Sequence, residues 1–272
     1  MNIKAVKDEG DYVLATGDAA AHRLNLLHQT YGPAGRELLL RAGIRPGMRV
    51  ADLGCGVGMV TQVLAELVGP GGEVIGVDFS TAQIKHARAS LGDLAHVKFV
   101  EASATDTRLE RESFDLVYSR FLLIHLKEPH VALREMYDLL KPDGILVCED
   151  GDLTSADSEP DSKLKEFSNL FAGLGPCWGV DYSLGRRLMH LVIDANFADP
   201  EITFNQPVFA KGENKRLLDL SVAEAGPSFI KAGLISENEL EDLLVEMRRL
   251  ADDDSVVAML PRVTQIWARK SV

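Results

Sequence analysis

The stretch that decides the fold is VADLGCGVG, residues 50–58. It begins in a β-rich run, 48–53, which follows the turn signal Pro46-Gly47. After the glycines, apolar residues recur at i, i+3, i+4, i+7 and i+8 from Val60 to Val68, a spacing that predicts an amphipathic helix. Open α/β sheets bind ligands at such strand-to-helix turns, so the sequence predicts a ligand site here.

The same alternation of short β-rich runs and helical patterns continues through the chain. It predicts an α/β fold with a mainly parallel sheet. The predicted strands are 48–53, 73–78, 97–100, 114–118, 145–148, 201–204 and 263–267. About fifty residues between the last two strands have a helical pattern, with a capping-box pair at Ser236 and Glu239. We therefore predict a helical insertion at about 214–252 before the last strand.

The glycine-rich loop distinguishes between two kinds of nucleotide ligand. A nicotinamide or flavin dinucleotide site needs G-x-G-x-x-G or a final alanine, and the residue at that position is Met59. Asp52, at the strand end, suits a ligand with an ammonium group beside a carboxylate. Asp78 ends the second strand, where a carboxylate can accept hydrogen bonds from both ribose hydroxyls. Asp78 indicates an adenosine-type ligand of either kind, whereas the spacing of the glycines argues against a dinucleotide.

Composition restricts the classes of partner and compartment. The net charge is −12 and no basic patch is visible, which argues against nucleic acid as the main partner. No apolar run approaches the roughly 18 residues of a membrane helix, and residues 1–12 lack a signal-peptide pattern. Three cysteines without ligand spacing predict neither a disulfide framework nor a metal site. The expected compartment is the cytoplasm.

Four motifs in this order resemble those of class I S-adenosylmethionine (SAM) dependent methyltransferases. Residues 50–58 are similar to the family's glycine motif, and 77–80 to its acidic strand-two motif. Residues 113–121 resemble the strand-four motif, and 140–144 the turn before strand five. The core is related to that of the ubiquinone and menaquinone biosynthesis enzymes. The resemblance implies a Rossmann-like sheet of seven strands, mostly parallel, with the last strand antiparallel.

The resemblance also implies SAM as cofactor and suggests which residues bind it. Those residues are Tyr12, Asp52, Gly54, Cys55, Gly56, Asp78, Phe79, Gln83, Ser103, Ala104, Ser119 and Arg120. Gln83 is equally explained by a capping box with Ser80. Ser103 stands where the family often has Asp or Asn to meet the adenine amino group. The adenine contact is therefore expected to be weaker, or to be made by the backbone.

We place the core domain at 46–272. The residues before it and the helical insertion within it are predicted to form two covers over the core. Residues 1–45 have a helical pattern with Leu24, Leu27 and 38–40, and resemble the leader of bacterial small-molecule methyltransferases. We expect N-terminal helices that cover the acceptor site, with Tyr12 either approaching SAM or packing the leader onto the core. The insertion either covers the site or forms the interface of a homodimer.

The acceptor is predicted mainly by exclusion. After strand four the chain has Ser119-Arg120-Phe121-Leu122, and neither the motif of nucleic-acid amino-methylating enzymes nor the paired glutamates of arginine methyltransferases. A small organic acceptor, methylated on oxygen, nitrogen or carbon, is what remains. Glu149, Asp150, Trp178 and Tyr182 are candidates for its pocket.

His125 is the candidate general base, because a histidine near neutral pKa can take a proton. The alternative is that His125 is a satisfied structural histidine in a helical segment, 124–126. Two other functions also stay open. One is a SAM-binding protein that transfers no methyl group, such as a rearrangement catalyst or partner subunit. The other is a nicotinamide oxidoreductase.

Overall fold

A seven-stranded sheet forms the centre of the computed structural model, which describes residues 18–271, with side chains from residue 22 onward. The strand order is β3-β2-β1-β4-β5-β10-β7. Strands β1 to β5 pair in parallel, and β10 runs antiparallel to both β5 and β7. The predicted Rossmann-like sheet with an antiparallel last strand is therefore confirmed.

The strands and helices follow the predicted order. The strands are β1 (Arg49–Leu53), β2 (Glu73–Asp78), β3 (Val97–Glu101), β4 (Phe114–Arg120), β5 (Leu140–Asp152), β6 (Asp157–Glu159), β7 (Phe197–Asn205), β8 (Val208–Phe209), β9 (Val257–Met259) and β10 (Arg262–Lys270). The helices are α1 (Asp18–Ala42), α2 (Met59–Val68), α3 (Thr81–Leu91), α4 (Pro129–Leu139), α5 (Glu166–Trp178), α6 (Leu188–Asp194), α7 (Leu217–Lys231) and α8 (Glu237–Ala251).

The sheet is buried on both faces because successive side chains of a strand point to opposite sides. In β1, Val50 packs with Leu64 and Val68 of α2 on one face. Ala51 and Leu53 belong to the core on the other face, with helices α4, α5 and α7. The continuous apolar strands of the sequence are thus explained by helices on both sides.

The regions outside the sheet depart from the predicted pattern in two places. The N-terminal helical pattern gives one continuous helix, α1, which includes Pro33. The insertion contains α7 and α8 as predicted, and the capping box of Ser236 and Glu239 is present. However, β8 and β9 flank these helices and join β6 in a separate three-stranded sheet that the sequence pattern did not predict. Strands of two or three residues are too short to show a period.

Among residues 18–271, none of the helices has both the length and the apolar character that crossing a membrane requires.

Candidate functional site

One cavity of about 420 Å³ lies at the carboxyl ends of β1, β2 and β4. Its wall includes the glycine loop on one side and residues from α1, α5 and α7 on the other. Ligands of open α/β sheets bind at this edge, where the chain leaves each strand. We describe the cavity as two parts, a loop end at residues 52–60 and 78–83, and an inner end formed by the helices and the segment 120–125.

The loop end is shaped by backbone conformations that only glycine adopts without strain. Gly54 has φ of +75° and Gly56 has φ of +54°. The loop is fixed to β2 because the amides of Gly54 and Cys55 both donate to the carbonyl of Val77, at 2.8 and 3.0 Å. A Cβ at Gly56 would meet no heavy atom within 4 Å. The loop backbone at Gly56 therefore borders open space on the cavity wall.

Helix α2 presents an uncapped N-terminus to this loop. Its N-cap is Gly58, no side chain caps it, and its first turn contains no acidic residue. The first backbone N–H groups of a helix have no partner within the helix, and they lie at the positive end of its dipole. This end of the cavity can therefore accept an anionic group.

Asp52 is buried at the end of β1, beside the same loop. Its Oδ2 accepts a hydrogen bond from Thr61 Oγ1 at 2.6 Å. Burial raises the pKa of Asp52 to about 6, while the Thr61 hydroxyl and the charge of Arg120 act in the opposite direction. A carboxylate with such a pKa is largely ionised at neutral pH and can face a cation.

Asp78 lies at the end of β2 and holds the glycine loop through its carboxylate. Oδ2 accepts from the Gly56 amide and Oδ1 from the Ser80 amide, both at 2.9 Å. Burial raises the pKa of Asp78 and these backbone donors oppose the shift. An ionised carboxylate offers about four lone-pair positions, so Asp78 can accept further hydrogen bonds from a ligand.

Ser80 caps α3 without forming a complete capping box. The Ser80 hydroxyl caps α3 by accepting from the Gln83 amide at 3.4 Å. The Ser80 amide already donates to Asp78, so the Gln83 side chain does not complete a capping box there. Gln83 instead lines the cavity, as do Ser80 and Phe79.

The inner end of the cavity is mainly apolar and aromatic. The aromatic residues on its wall are Tyr31, Phe121, Phe167, Phe171 and Tyr182. Their rings stack edge to face, with centroids 5.4 Å apart for Tyr31 and Phe121, and 5.2 Å apart for Phe171 and Tyr182. The Tyr31 hydroxyl donates to the Pro261 carbonyl at 2.8 Å, which joins α1 to the start of β10.

His125 is on the wall of this inner end, in the short 3₁₀ turn Leu123–His125 after β4. Its ring lies 6.0 Å from the Tyr182 ring, at an interplanar angle of 77°. Burial, and to a smaller extent the charge of Arg23, together lower the pKa of His125 to about 4. The imidazole is therefore neutral at physiological pH and able to accept a proton.

Asp150, at the end of β5, positions the turn that carries His125. Its Oδ2 accepts from the Leu123 amide at 2.8 Å, and its Oδ1 accepts from the Gly151 amide at 3.1 Å. Asp150 is buried, and that burial raises its pKa to about 7 against the effect of the backbone donors. The carboxyl group is therefore a structural acceptor for the turn rather than part of the wall.

Arg120 connects the two ends of the cavity. It ends β4 and its Nη2 lies 3.3 Å from Nδ1 of His28 on α1. Burial and the charge of Arg120 together lower the pKa of His28. A neutral His28 can accept this hydrogen bond, so α1 is held to the end of β4.

Several sequence-predicted site residues share the cavity wall. They are Asp52, Gly54, Cys55, Gly56, Asp78, Phe79, Gln83, Arg120 and His125. Ser103, Ala104 and Ser119 are not on that wall. Ser119 is buried within the sheet, where its Oγ contacts Cys148 Sγ of β5 at 3.4 Å. Ser103 is exposed and bonds Thr105, so roles for these three residues in cofactor binding stay predictions.

Of the four acceptor-pocket candidates, only Tyr182 is on the wall. Glu149 is buried behind it, where it accepts from Tyr118 and from Gln265 Nε2, the latter at 2.7 Å. Trp178 packs against the core from the end of α5. Tyr12 lies outside the described residues.

Sequence reasoning missed the part of the wall that comes from distant helices. The missed residues include Arg23 of α1, Phe167 and Phe171 of α5, and Leu217 and Leu218 of α7. Phe167 and Phe171 are four residues apart on one helix face, a signal that equally predicts ordinary core. In the part of the chain that the structure describes, no group of three or more potential ligands could hold a metal ion.

The sequence of the central sheet matches known proteins. Residues 51–148 match a family model described as a methyltransferase domain, which is just over a third of the chain. A demethylmenaquinone methyltransferase of Staphylococcus aureus is 39% identical over 106 residues, which are 39% of this chain and 44% of the relative. The chain thus matches less than half the length of that relative.

Solved structures share the fold over a larger part of the chain. The YcgJ protein of Bacillus subtilis has a TM-score of 0.59 at 19% identity, over 90% of this chain and 99% of that one. Phosphoethanolamine N-methyltransferase 2 of Haemonchus contortus, in complex with S-adenosylhomocysteine, has a TM-score of 0.55 at 19% identity. That likeness covers 93% of this chain and 53% of the other. At this level of identity the likeness shows the fold.

Proposed function

We propose that this protein transfers a methyl group from SAM to a small organic acceptor. Its methyltransferase fold and the methyltransferase domain at residues 51–148 support this function. The observation that carries the proposal is the two-part cavity. Its loop end offers main-chain donors and two aspartates, while its inner end offers an apolar, aromatic surface. One end suits a polar, zwitterionic nucleoside, and the other suits a different, less polar molecule.

The residues of the loop end fit SAM group by group. The loop amides and the free N–H groups of α2 would hold the carboxylate of its amino acid part. Asp52 would face the ammonium, and Asp78 would accept from the ribose hydroxyls. The open space beside Gly56 admits the ligand, since a Cβ there would project into it. SAM supplies an electrophilic methyl group on a sulfonium.

The inner end would align the acceptor and exclude water. Methyl transfer from a sulfonium needs in-line approach above all, so a shaped, dry chamber supplies much of the catalysis. When the acceptor is a hydroxyl, its proton would pass to a ring nitrogen of His125 as the methyl group is transferred. The pKa of about 4 keeps this imidazole neutral but makes it a weak base. An acceptor that is already anionic needs no such base.

We extend the proposal to the covers over this chamber. Leu24 and Leu27 of α1 and Leu217 and Leu218 of α7 contribute to the wall. This supports a closing role for residues 1–45 and for the insertion at 214–252. Hydrogen exchange with and without S-adenosylhomocysteine tests the role, because protection confined to the glycine loop would contradict it.

The decisive experiment is a calorimetric titration with SAM, S-adenosylhomocysteine and NAD, together with assay of S-adenosylhomocysteine release over a panel of small acceptors. We expect binding of the first two ligands and none of NAD. Asp78→Ala should lose about 100-fold in affinity, since hydrogen bonds to charged groups contribute about 1.5–3 kcal/mol each.

Asp115→Ala is the matched control. Asp115 also accepts from a backbone amide, Arg49 N at 2.8 Å, but it lies near the start of β4, at the opposite end of the strands from the cavity. Unchanged affinity in folded Asp78→Ala would contradict the ribose assignment. SAM binding without product release across the panel would favour a non-transferring binding protein, and NAD binding would favour an oxidoreductase.

A further inference from the structure

The inner end of the cavity contains a buried cation that the proposed transfer reaction does not use. Arg23 of α1 is 5% exposed and lies on the cavity wall. Its Nε donates to Oε2 of Glu224 on α7, and the two side chains are 6% and 7% exposed. Glu224 is not on the wall, whereas the Arg23 and Arg120 side chains both are.

This ion pair is incompletely hydrogen-bonded. A guanidinium has five N–H donors, and the Glu224 contact accounts for the Nε–H alone. Within residues 18–271 the Arg23 side chain has no other hydrogen-bond partner, and Oε1 of Glu224 is buried without one. A buried ion pair is stable only when further hydrogen bonds satisfy its remaining donors and acceptors. The arrangement therefore leaves donors of Arg23 available to a ligand in the chamber.

The charges of the cavity are separated along its length. Asp52 and Asp78 are at the loop end, and the wall of the inner end has no carboxylate among its described residues. Arg120 is engaged with His28, whereas Arg23 is close enough to His125 for its charge to lower that pKa. An acceptor in the inner end thus meets positive potential in an apolar surrounding, where charge interactions are strong.

We infer that the acceptor is an apolar molecule with an acidic oxygen, a carboxylate or an ionisable hydroxyl, and that Arg23 binds this oxygen. The inference depends on the proposed function, because it concerns the acceptor end of the same site. A charge-assisted hydrogen bond from Arg23 would orient the acceptor. Where the bound oxygen is a hydroxyl, the nearby cation would also favour its ionised form, which is the better nucleophile.

The test uses three aromatic probes, each titrated in the presence of S-adenosylhomocysteine. 2-Naphthoate and its amide, 2-naphthamide, differ in charge but little in shape. We expect the carboxylate to bind about tenfold more tightly, which corresponds to one charge-assisted hydrogen bond. The ionisation of 2-naphthol is followed by absorbance. If Arg23 binds a hydroxyl oxygen, the pKa of the naphthol should fall when it binds. A preference for naphthoate with an unshifted naphthol assigns the carboxylate, and a shifted naphthol assigns the hydroxyl.

Two variants give opposite expected effects. Glu224→Gln leaves Arg23 without a competing carboxylate, so naphthoate affinity should rise by about threefold or more while naphthamide affinity stays the same. Arg23→Met combined with Glu224→Met removes both charges at similar volume, a change that buried pairs tolerate. The preference for naphthoate should vanish in this double variant. Arg111→Met, which breaks an Arg–Glu pair with Glu135 outside the cavity, is the control with an unchanged preference.

The affinity for S-adenosylhomocysteine distinguishes a failure of the proposed function from a failure of the proposed role of Arg23. If the wild-type protein does not bind it, the proposed function is wrong. If it binds, the role of Arg23 is wrong when naphthoate shows no advantage and the pKa of naphthol does not fall, or when either effect persists in the folded double variant. A chamber that binds none of the three probes also contradicts the inferred acceptor class.

Discussion

The loop end and the inner end of the cavity are built in different ways. The loop end comes from one stretch of chain, residues 52–83, and its geometry depends on glycine backbone and main-chain hydrogen bonds. The inner end joins segments from opposite ends of the chain, as in the contacts of Arg23 with Glu224, 201 residues apart, and Tyr31 with Pro261, 230 residues apart. Local backbone chemistry defines the first, and tertiary packing defines the second.

This difference has a functional consequence. Main-chain donors at the loop end are set by the fold and change little when side chains are replaced, so they suit a ligand shared by many proteins. Side chains at the inner end determine shape and charge directly, so they suit an acceptor specific to this chain. Substitutions at the loop end should therefore alter cofactor affinity, and substitutions at the inner end should alter turnover or acceptor choice.

His125→Ala should produce the largest effect on turnover and the clearest separation of the two ends. With a hydroxyl acceptor, loss of a general base should lower kcat by ~10²–10⁴ while S-adenosylhomocysteine affinity stays nearly unchanged. Because the pKa of His125 is about 4, the wild-type kcat at saturating SAM should show no titration of His125 as pH falls from 7 to about 5. Asp52, whose pKa is about 6, titrates in this range and should change the affinity for SAM instead. Steady-state kinetics across this range with both proteins is the measurement.

His130→Ala is the matched control, since His130 is exposed and lies five residues along the chain. It should leave kcat and its pH profile unchanged. A folded His125→Ala protein with full activity on a hydroxyl acceptor would rule out the base, and an early loss of folding would favour a structural histidine.

The loop end was largely predictable from sequence, because its signals are local. The bounds of β2 at Glu73 and Asp78 match the prediction, and the structure brings Asp78 to the glycine loop. A capping box such as Ser236 and Glu239 is also local, since three residues define it. Each of these features depends on residues that are neighbours in the chain.

The inner end was not predictable in the same way. A pattern of apolar positions shows which face of α1 or α5 is buried, but not what it is buried against. Arg23 belongs to the segment that resembles a methyltransferase leader, but the resemblance gives it no role. Only the packing of α1 against α7 makes it part of a cavity. The side to which Ser119 points depends on strand phase, which a motif match does not specify.

Asp150→Asn tests the connection between the two ends. Asp150 fixes the segment in which Leu122 contacts Gly54, and Ile124 and His125 line the inner end. Its folded pKa is about 7, above the unfolded value of about 3.9. The folded protein then holds the proton more tightly, so this group's contribution to stability falls as pH rises from about 4 to about 7.

Asparagine does not titrate but can still accept from the Leu123 amide. The unfolding free energy of the variant should therefore lack the decline due to Asp150. In the wild-type protein this decline amounts to at most roughly 4 kcal/mol between about pH 4 and pH 7. Urea unfolding at pH 4.5 and pH 7.5 measures the difference. Asp115→Asn is the control. The pKa of Asp115 is lowered in the folded protein, so its titration changes stability only below about pH 4 and not between pH 4.5 and 7.5. Parallel pH slopes for wild type and Asp150→Asn would contradict the raised pKa.

The smallest expected effect comes from two helix caps, one at each end of the comparison. Ser80 caps α3 and lines the loop end of the cavity, whereas Ser236 caps α8 behind α7, away from the wall. Loss of either cap should cost about 1 kcal/mol of unfolding free energy, since each serine accepts from a backbone amide at the third helical position.

Stability measurements alone should therefore not distinguish Ser80→Ala from Ser236→Ala. Their affinities for S-adenosylhomocysteine should differ, because the Ser80 amide donates to Asp78 and loss of the Ser80 cap loosens the start of α3 beside the ligand. Equal affinities in the two variants, with equal losses of stability, would mean that the start of α3 does not contribute to the loop end.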